Sequence, residues 1–458
     1  AATTVMTGCS SGNGQKATGA PAAESVAEGT AAEGTAAGGT AAERADAGKG
    51  QESETADPMA AITDDGTKKT ITYWHTFTEG ARKDYIDEMV AEYMKEHPNV
   101  KIELIGQPVN DMAKKIIALN TSGDLPDAFF MPTEFMSQAY DMGIIVDHEA
   151  LLGEDFMSAL NEKVVEYGKI NNQLMMVPWH VIPVALIYRA DWLAEAGIDK
   201  IETVDDFRNT AKTFTKDGHW GFSMVGTQNG SGEARFCQYV RTFGVNEVYQ
   251  DESGKWVSDL TSDNYKKALQ SFVDLALVDG VVPPGPTETG YPEAAAYFAE
   301  QKTGLMISGS NAIGAIISAN PELDGKLASV PLPAEERHVT NLQTSGYAIT
   351  TACEHPDVMA DYLKFMTSKD LAVDFGIKTG RLPVTKEAAE DPAFQTDTFK
   401  GFIDCMEYAL PQPAFPAYTE ILDVMGESYN TMMGNNVSID DAMAQVANRV
   451  EGILSENQ

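Results

Sequence analysis

From residue 68 onward the sequence alternates short apolar strands with amphipathic helices, and this alternation constrains the fold more than any other feature. The segment TITYW (residues 70–74) is typical of a strand, and apolar residues then recur at helical spacing: Tyr85, Ile86, Met89, Val90, Tyr93 and Met94. A strand over 100–105, a helix over 109–119 and a buried strand at DAFFM (residues 127–131) follow. This order predicts a mostly parallel sheet with right-handed crossovers.

The same alternation continues after residue 165. Asn171-Asn172, between two short apolar runs, predicts a β-hairpin. An apolar strand over 185–188 precedes a helix, and Thr203 with Asp206 predicts the start of the next helix. Apolar residues at helical spacing predict three further helices, over 398–407, 418–433 and 439–454. A second α/β unit therefore begins near residue 185.

Length and charge limit the class of protein. At roughly 150 residues per domain, 458 residues predict two or three domains. The formal net charge of −35 disfavours nucleic acid and anionic membrane surfaces as partners, and no run of 18 apolar residues predicts a membrane-spanning helix. The sequence has no P-loop, HExxH motif, nucleophile elbow or metal-ligand spacing, so we expect no metal, no other cofactor and no catalysis.

The first 68 residues differ from the rest of the chain. Residues 1–66 contain no aromatic residue, and EGTAAEGTAAGGTAA fills positions 28–42. A segment this poor in large apolar side chains cannot offset the entropy of ordering, so residues 1–68 are predicted to be a disordered acidic tether. The remaining cysteines have no metal or redox spacing and can form at most one disulfide: Cys237, Cys353 and Cys405.

A cysteine near the start of the tether predicts lipidation. The stretch VMTGCSSG (residues 5–12) resembles a bacterial lipobox, in which the cysteine, here Cys9, is lipidated and becomes the mature N-terminus. We expect the printed sequence to begin inside a signal peptide. The alternative is a cysteine without a role in a low-complexity leader.

Six stretches after the tether, in this order, together resemble one protein family. They are ITYWHTFTEGARKDYIDEMVAEYMKEHPNVKIEL, SGDLPDAFFM, VPWHVIPVALIYRADWLAEAGID, YFAEQKTGLMISGS, TSGYAIT followed by HPDVMADYLKFMTS, and TGRLPVTKEA. The sequence resembles the extracellular solute-binding proteins of bacterial carbohydrate ABC importers, the group that includes maltose-binding and glycerol-3-phosphate-binding proteins.

The resemblance implies an α/β, two-lobed periplasmic-binding-protein-like fold of type II, with the ligand in the cleft between the lobes. Hinge strands are expected to join the lobes near residues 181–184, 306–309 and 380–383. The expected bounds are 69–182 plus 308–380 for lobe one, and 183–307 plus 381–458 for lobe two.

Candidate ligand contacts lie at the carboxyl ends of strands or in the loops after them, where open α/β sheets bind ligands. A sugar ring has an apolar face and hydroxyls around its edge, so it needs flat aromatic platforms and polar groups in its plane. The candidate platforms are Trp74, Trp179, Trp220, Tyr347 and Tyr418. The candidate polar contacts are His75, Thr76, Asp127, Glu134, His180, Gly309, Ser310, Asn311, Ser345, Gly346 and Arg381.

These candidates have structural alternatives. Any of the five aromatic residues can belong to the core, Asp127 can accept hydrogen bonds from loop amides, and Ser310 can cap the helix predicted over 311–319. Gly346 is expected to let a ligand approach the backbone, and Arg381 to donate a planar fork of hydrogen bonds.

The resemblance implies a lipid-anchored, monomeric substrate-binding subunit on the outer face of the cytoplasmic membrane. It is expected to capture a mono- or oligosaccharide by hinge closure and to deliver it to two ABC permease subunits. One alternative ligand is sn-glycerol 3-phosphate or another polyol phosphate, bound by His75, His180, Arg381 and the helix N-terminus at Ser310. A more remote alternative is a secreted carbohydrate-active enzyme with two carboxylates across the cleft.

Overall fold

A computed structural model provides the structure of the protein. It describes residues 66–78, 80–413, 415–435 and 437–457. Cys9 and nearly all of the predicted tether lie outside the described residues. Within the described part, no helix is both long and apolar enough to span a membrane.

The strands, in chain order, are β1 (Lys69–His75), β2 (Val100–Gly106), β3 (Ala128–Pro132), β4 (Lys169–Ile170), β5 (Gln173–Leu174), β6 (Val177–Arg189), β7 (Trp220–Phe222), β8 (Tyr249–Gln250), β9 (Trp256–Val257), β10 (Thr303–Gly309), β11 (Leu327–Val330), β12 (Leu342–Ile349) and β13 (Leu382–Pro383).

The helices are α1 (Gly80–Glu96), α2 (Val109–Ser122), α3 (Met136–Asp141), α4 (Glu149–Leu152), α5 (Glu154–Ala159), α6 (Glu162–Glu166), α7 (Ala190–Ala196), α8 (Val204–Phe214), α9 (Ser231–Arg241), α10 (Asp263–Leu277), α11 (Tyr291–Ala299), α12 (Ala312–Ala319), α13 (Pro356–Met366), α14 (Lys369–Thr379), α15 (Lys386–Ala389), α16 (Asp397–Cys405), α17 (Tyr418–Asn435) and α18 (Ile439–Glu456).

In the described part of the chain, the large strands form one sheet in the order β2-β1-β3-β12-β6-β10-β7, with β11 and β13 also paired to β6. The predicted alternation over β1, α1, β2, α2 and β3 is confirmed, and β1 lies parallel to both neighbours. The prediction of a mostly parallel sheet is wrong, because every strand paired with β6 is antiparallel to it. Strand β12 is reached through residues 331–341 without a crossover helix, so the parallel rule does not apply to it.

Strand β6 belongs to two halves of this sheet. Its residues Val177–Pro183 pair with β12 and β13, whereas Val184–Arg189 pair with β10 and β11. All of its residues except Tyr188 are buried, which agrees with the near-continuous apolar sequence of a strand covered on both faces. We call β2, β1, β3, β12, β13 and Val177–Pro183 the first half-sheet, and β11, β10, β7 and Val184–Arg189 the second half-sheet.

Three hydrophobic clusters cover the two faces of the sheet. Because side chains alternate along a strand, Ala185 and Ile187 belong to a first cluster that extends over both half-sheets, and Val184 and Leu186 belong to a second cluster. A third cluster covers the other face of the first half-sheet and includes Phe129, Met131 and Ala348. Toward the C-terminus, side chains over 382–406 pack in the first cluster and those over 415–453 in the second. The lobe bounds given above stay a prediction.

Two local sequence signals are confirmed. The hydroxyl of Thr203 accepts a hydrogen bond from the amide of Asp206 at 3.0 Å, and the Asp206 carboxylate accepts one from the Thr203 amide at 3.0 Å, so α8 begins with a capping box. Asn171 and Asn172 both have positive φ angles, of 50° and 62°, and join β4 to β5 as a hairpin.

The pairing of β12 with β6 contains an irregularity beside the junction of the half-sheets. Ser345 lies opposite His180 and Gly346 opposite Pro178, so Trp179 is an extra residue, as in a β-bulge. A Cβ atom on Gly346 would lie 2.0 Å from the Val177 carbonyl oxygen. Glycine is therefore required here by the close approach of two strands, and the backbone of β6 takes the place expected for a ligand.

We predict that Gly346→Ala destabilises the protein by about 1–3 kcal/mol, because the new methyl group displaces β6 from β12. Thermal unfolding measures this effect. Gly314→Ala is the matched control, since Gly314 is exposed in α12 and a Cβ atom there meets nothing within 4 Å. The control should gain about 0.5–1 kcal/mol from helix propensity, and an equally stable Gly346→Ala protein would contradict the prediction.

Candidate ligand-binding site

The carboxyl end of β1 directs its two candidate aromatic side chains to opposite faces of the first half-sheet. His75 is 3 % exposed and lies on the face of Tyr73 and the first cluster. Trp74 is partly buried and packs against the third cluster on the other face. Thr76, directly after β1, is partly buried. Alternation along the strand therefore separates Trp74 from the other candidate rings.

One group of aromatic rings lies on the face of the first half-sheet that the first cluster covers. It includes His75, Trp179, His180 and Tyr347. The ring centroids of Trp179 and Tyr347 are 5.5 Å apart, and those of Trp179 and His180 are 5.2 Å apart. Tyr73 links His75 to Tyr347, with centroid distances of 6.1 and 5.1 Å. The structure thus brings four of the predicted site residues together, just inside the carboxyl edge of the sheet.

Three phenylalanines that the sequence analysis did not identify complete this ring group: Phe77, Phe130 and Phe375. The Phe375 ring stacks on the Trp179 indole with centroids 4.4 Å apart and planes 26° apart. Since Phe375 covers one indole face, Trp179 has less free surface than a sugar platform needs. These three phenylalanines carry no local sequence motif, so only the long-range packing of their elements could have identified them.

Several polar atoms in and near this group are buried and have no hydrogen-bond partner among the described residues. They are the hydroxyl oxygens of Tyr73 and Tyr347, the Nδ1 atoms of His75 and His180, and Oγ of Ser310. A buried polar group without a partner costs about 1–3 kcal/mol, so native structures usually supply water or a ligand. These five atoms are therefore candidates for hydrogen bonds to water or to a ligand.

Both histidines are neutral near pH 7. Burial lowers the pKa of His180 well below its ordinary value, and the charges of Arg381 and Arg82 lower it further. Burial also lowers the pKa of His75, although the Asp87 carboxylate acts in the opposite direction. A neutral imidazole donates from one nitrogen and accepts at the other, so these side chains suit hydroxyl groups better than a dianion.

The loop after β10 lies at the junction of the half-sheets. Gly309 pairs with Val184, and the amide of Ser310 donates to the Pro183 carbonyl at 3.1 Å. Asn311, the residue before α12, is partly buried and its side chain makes no capping hydrogen bond. The predicted cap by Ser310 is also absent from the described contacts, since its hydroxyl has no partner there.

Arg381 follows a tight turn against this loop. Gly380 has a φ of 68°, and a Cβ atom there would lie 2.7 Å from the Ser310 carbonyl oxygen. Arg381 is partly buried, and its amide donates to the Thr379 hydroxyl at 3.3 Å. Together with its effect on the pKa of His180, this places a cationic side chain close to the ring group.

The remaining candidates are placed elsewhere or bonded within the fold. Trp220 pairs with Thr303 at the far end of β10, about 20 Å from Gly309 at ~3.3 Å per residue. The Asp127 carboxylate accepts the Thr72 amide at 2.7 Å, which is the structural alternative considered above. Ser345 is partly buried within β12. The side chain of Glu134 lies outside the described residues.

Tyr418 belongs to a buried polar network in the second cluster. Its hydroxyl donates to Oε1 of Glu247 at 2.7 Å, and Glu247 also forms a bidentate ion pair with Arg241. Arg241 and Glu247 are 1 % and 2 % exposed. The Arg241 charge and these hydrogen bonds lower the pKa of Glu247 in spite of its burial. Tyr418 therefore holds a buried carboxylate in place.

Two helices beside β10 bring a cationic and an aromatic side chain together, Arg235 on α9 and Tyr291 on α11. Nε of Arg235 donates to the Ile307 carbonyl at 3.2 Å, and its guanidinium carbon lies 4.6 Å from the ring centre of Tyr291. Both side chains are partly buried. On the first half-sheet, Arg82 lies 5.2 Å from the ring centre of Phe77. The sequence analysis did not identify these two pairs, because an arginine and an aromatic residue at these separations along the chain form no recognisable motif.

Among the described residues, no group of three or more His, Cys, Asp or Glu side chains could hold a metal ion. A sheet in two halves that share a strand, covered by helices, defines a protein of the α/β class. Residues 79–373 match the family described as bacterial extracellular solute-binding proteins, and the chain belongs to that family.

Known proteins of this kind resemble the chain at moderate identity. An arabinooligosaccharide-binding protein of Bacillus subtilis (strain 168) is 25 % identical over 314 residues, which cover 64 % of this chain and 68 % of that protein. Lipoprotein LipO of the same organism is 30 % identical over 132 residues, 26 % of each chain. The solved structure of maltose-bound T. maritima MalE3 has a TM-score of 0.69 at 23 % identity, and covers 84 % of this chain and 100 % of that chain. The fold is therefore the two-lobed, type II periplasmic-binding-protein-like fold.

We predict that Tyr418→Phe lowers the free energy of unfolding by about 1.5–3 kcal/mol, because the buried Glu247 carboxylate loses a hydrogen bond to its charged oxygen. Denaturant unfolding measures this change. Tyr408→Phe is the control, since Tyr408 is 42 % exposed and its substitution should stay within about 0.5 kcal/mol. Equal stability of the two variants would show that the Glu247 bond contributes nothing.

Proposed function

We propose that this protein is the substrate-binding subunit of a carbohydrate ABC importer and binds a neutral mono- or oligosaccharide between its lobes. The observation that best supports this proposal is a set of buried polar atoms without hydrogen-bond partners, on His75, His180 and Tyr347, within a group of aromatic rings. Sugars carry several hydroxyl groups, and these can satisfy the unpaired atoms.

The charge state of the two histidines favours a neutral ligand, whereas Arg381 and Arg82 are the cationic side chains near them. His75 and His180 both have lowered pKa values, so neither brings the positive charge that a phosphate dianion needs. The relatives support the same class, because one is named for arabinooligosaccharides and a solved structure of the same fold holds maltose. We therefore place neutral oligosaccharides of pentoses or hexoses first among the ligands to test.

Ligand capture follows from contacts made by both lobes. Contacts from Arg235 on α9 and Tyr291 on α11 and from the ring group on the first half-sheet exist together only when the cleft is shut. A ligand then shifts the open-to-closed equilibrium by its differential affinity for the two states. We propose that the closed, monomeric form docks on the permease subunits. Catalysis has no part in this proposal, and the family to which the chain belongs consists of binding proteins.

We predict that a neutral oligosaccharide raises the unfolding temperature of the protein by a few degrees. A ligand at 100 times its dissociation constant adds about 2.7 kcal/mol to the stability. The panel contains arabinotriose, maltose, maltotriose and sn-glycerol 3-phosphate. A shift with sn-glycerol 3-phosphate alone would contradict the proposal and identify a polyol-phosphate receptor, and no shift with any member of a wider neutral-sugar panel would also count against it.

The active sugar can then test the role of the Tyr347 hydroxyl. Tyr347→Phe should weaken binding about 5- to 30-fold, since one hydrogen bond of about 1–2 kcal/mol is lost. Tyr362→Phe is the matched control, because its hydroxyl is equally buried and unpaired among the described residues but lies on α13, behind Tyr73. Isothermal titration measures both dissociation constants, and equal values would remove Tyr347 from the site.

We also propose that Cys9 carries a lipid anchor that holds the protein at the outer face of the cytoplasmic membrane. The lipobox-like sequence supports this, as does the similarity to a protein named as a lipoprotein. A diacylated cysteine supplies the two chains that stable anchoring requires.

We predict that Cys9→Ala releases the protein from membranes when it is expressed with its complete leader. Fractionation of cells followed by immunoblotting measures the released share. Cys353→Ala is the control, because Cys353 lies in the folded part and should leave retention unchanged. Full retention of the Cys9→Ala protein would refute the anchor.

A further inference from the structure

Two passages of the chain between the two halves of the molecule meet at one residue, Thr340. The first is the junction within β6, between Pro183 and Val184. The second is the segment from β11 to β12, which contains Thr340 itself. The segment after α16 lies beside them and belongs to the second half, because α16 packs on β11.

The side chain of Thr340 holds the first passage. Its hydroxyl donates to the Val184 carbonyl at 2.8 Å and accepts from the Val184 amide at 2.9 Å. All three groups are buried, and Thr340 has no exposed surface. Strand β12 begins only at Leu342, so no backbone of that strand reaches Val184. A hydroxyl is both donor and acceptor, so a single threonine replaces the missing pair of ladder bonds.

The backbone of Thr340 holds the segment after α16. Its amide donates to the Tyr408 carbonyl at 3.1 Å, and its carbonyl accepts from the Leu410 amide at 3.0 Å. The guanidinium of Arg241 donates to the Leu410 carbonyl at 3.2 Å. Arg241 in turn forms an ion pair with Glu247, so Thr340 is connected through Leu410 and Arg241 to the interior of the second cluster.

We propose that Thr340 is the pivot residue of the two-lobed molecule: its side chain and backbone keep the two passages and the segment after α16 together while the lobes turn about them. This inference rests on the lobe closure in the proposed function. A single side chain permits rotation at Val184 that a continuous ladder would resist, because one pair of hydrogen bonds joins Val184 to the segment before β12. Thr340 is a positioning residue and has no contact with the ring group in the described structure.

The test measures the distance between the lobes without any sugar, so its outcome is independent of the ligand. Spin labels are placed at Lys114→Cys on α2 and Glu451→Cys on α18, both exposed, in a protein with Cys9→Ser and Cys353→Ser. Double electron–electron resonance should give a narrow distance distribution for this parent protein. Thr340→Val, which keeps the shape but loses both hydrogen bonds, should at least double its width, and Thr340→Ser should restore the parent width.

Thr350→Val is the matched control for general destabilisation. The Thr350 hydroxyl donates to the Pro126 carbonyl at 2.7 Å and accepts from the Ala352 amide at 3.2 Å, and Thr350 is 1 % exposed. It therefore loses the same kinds of bond, but within the first half of the molecule. Its unfolding temperature should fall while the distance distribution stays that of the parent. A Thr340→Val distribution equal to that of Thr350→Val would overturn the pivot.

Native-state hydrogen exchange covers the case in which Thr340→Val does not fold. If Thr340 holds Val184 throughout the lobe motion, the Val184 amide in the unsubstituted protein exchanges only by global unfolding. Exchange at least tenfold faster than global unfolding would show that the bond to Thr340 opens in the native state and would overturn the proposal. Failure of every sugar in the thermal panel would leave both measurements intact.

Discussion

The structure depends on one buried strand that two half-sheets share. Strand β6 pairs with β12 and β13 up to Pro183 and with β10 and β11 from Val184 onward. A strand used by both halves is covered on both faces along its length, and every β6 residue except Tyr188 is buried. Because proline has no amide hydrogen, Pro183 suits the point where one ladder ends and another begins.

The ring group exists because β6 is irregular just before this junction. The extra residue Trp179 lies between Pro178, which cannot donate to a ladder, and His180. In a regular strand, neighbouring side chains point to opposite faces, but here Trp179 and His180 both contact Phe77 and Phe375. The bulge thereby concentrates aromatic surface and an unpaired imidazole nitrogen on one face.

Local signals predicted the local structure well, and long-range pairing explains what they missed. The hairpin at Asn171-Asn172 and the capping box at Thr203 depend on neighbouring residues, so the sequence shows them directly. Strand β6 was expected from residue 185, after a hinge strand near residues 181–184, but not at 178–180, where Pro178 and the extra residue Trp179 interrupt the local strand pattern. The placement of Trp220 and Tyr418 away from the ring group depends on strand direction and on a buried ion pair, neither of which leaves a local pattern.

The position of the ring group relative to the junction has a mechanical consequence for binding. His180 lies four residues before Val184, about 13 Å along an extended strand at ~3.3 Å per residue. Points near a pivot move little when two bodies rotate, so with the proposed pivot at Thr340 the side chains of Trp179 and His180 would keep nearly the same relation to both lobes, whereas Tyr291 on α11 would move further. A ligand bound at the proposed site would then meet a part of it already organised, and only the distant contacts would need ordering, which lowers the entropic cost of binding.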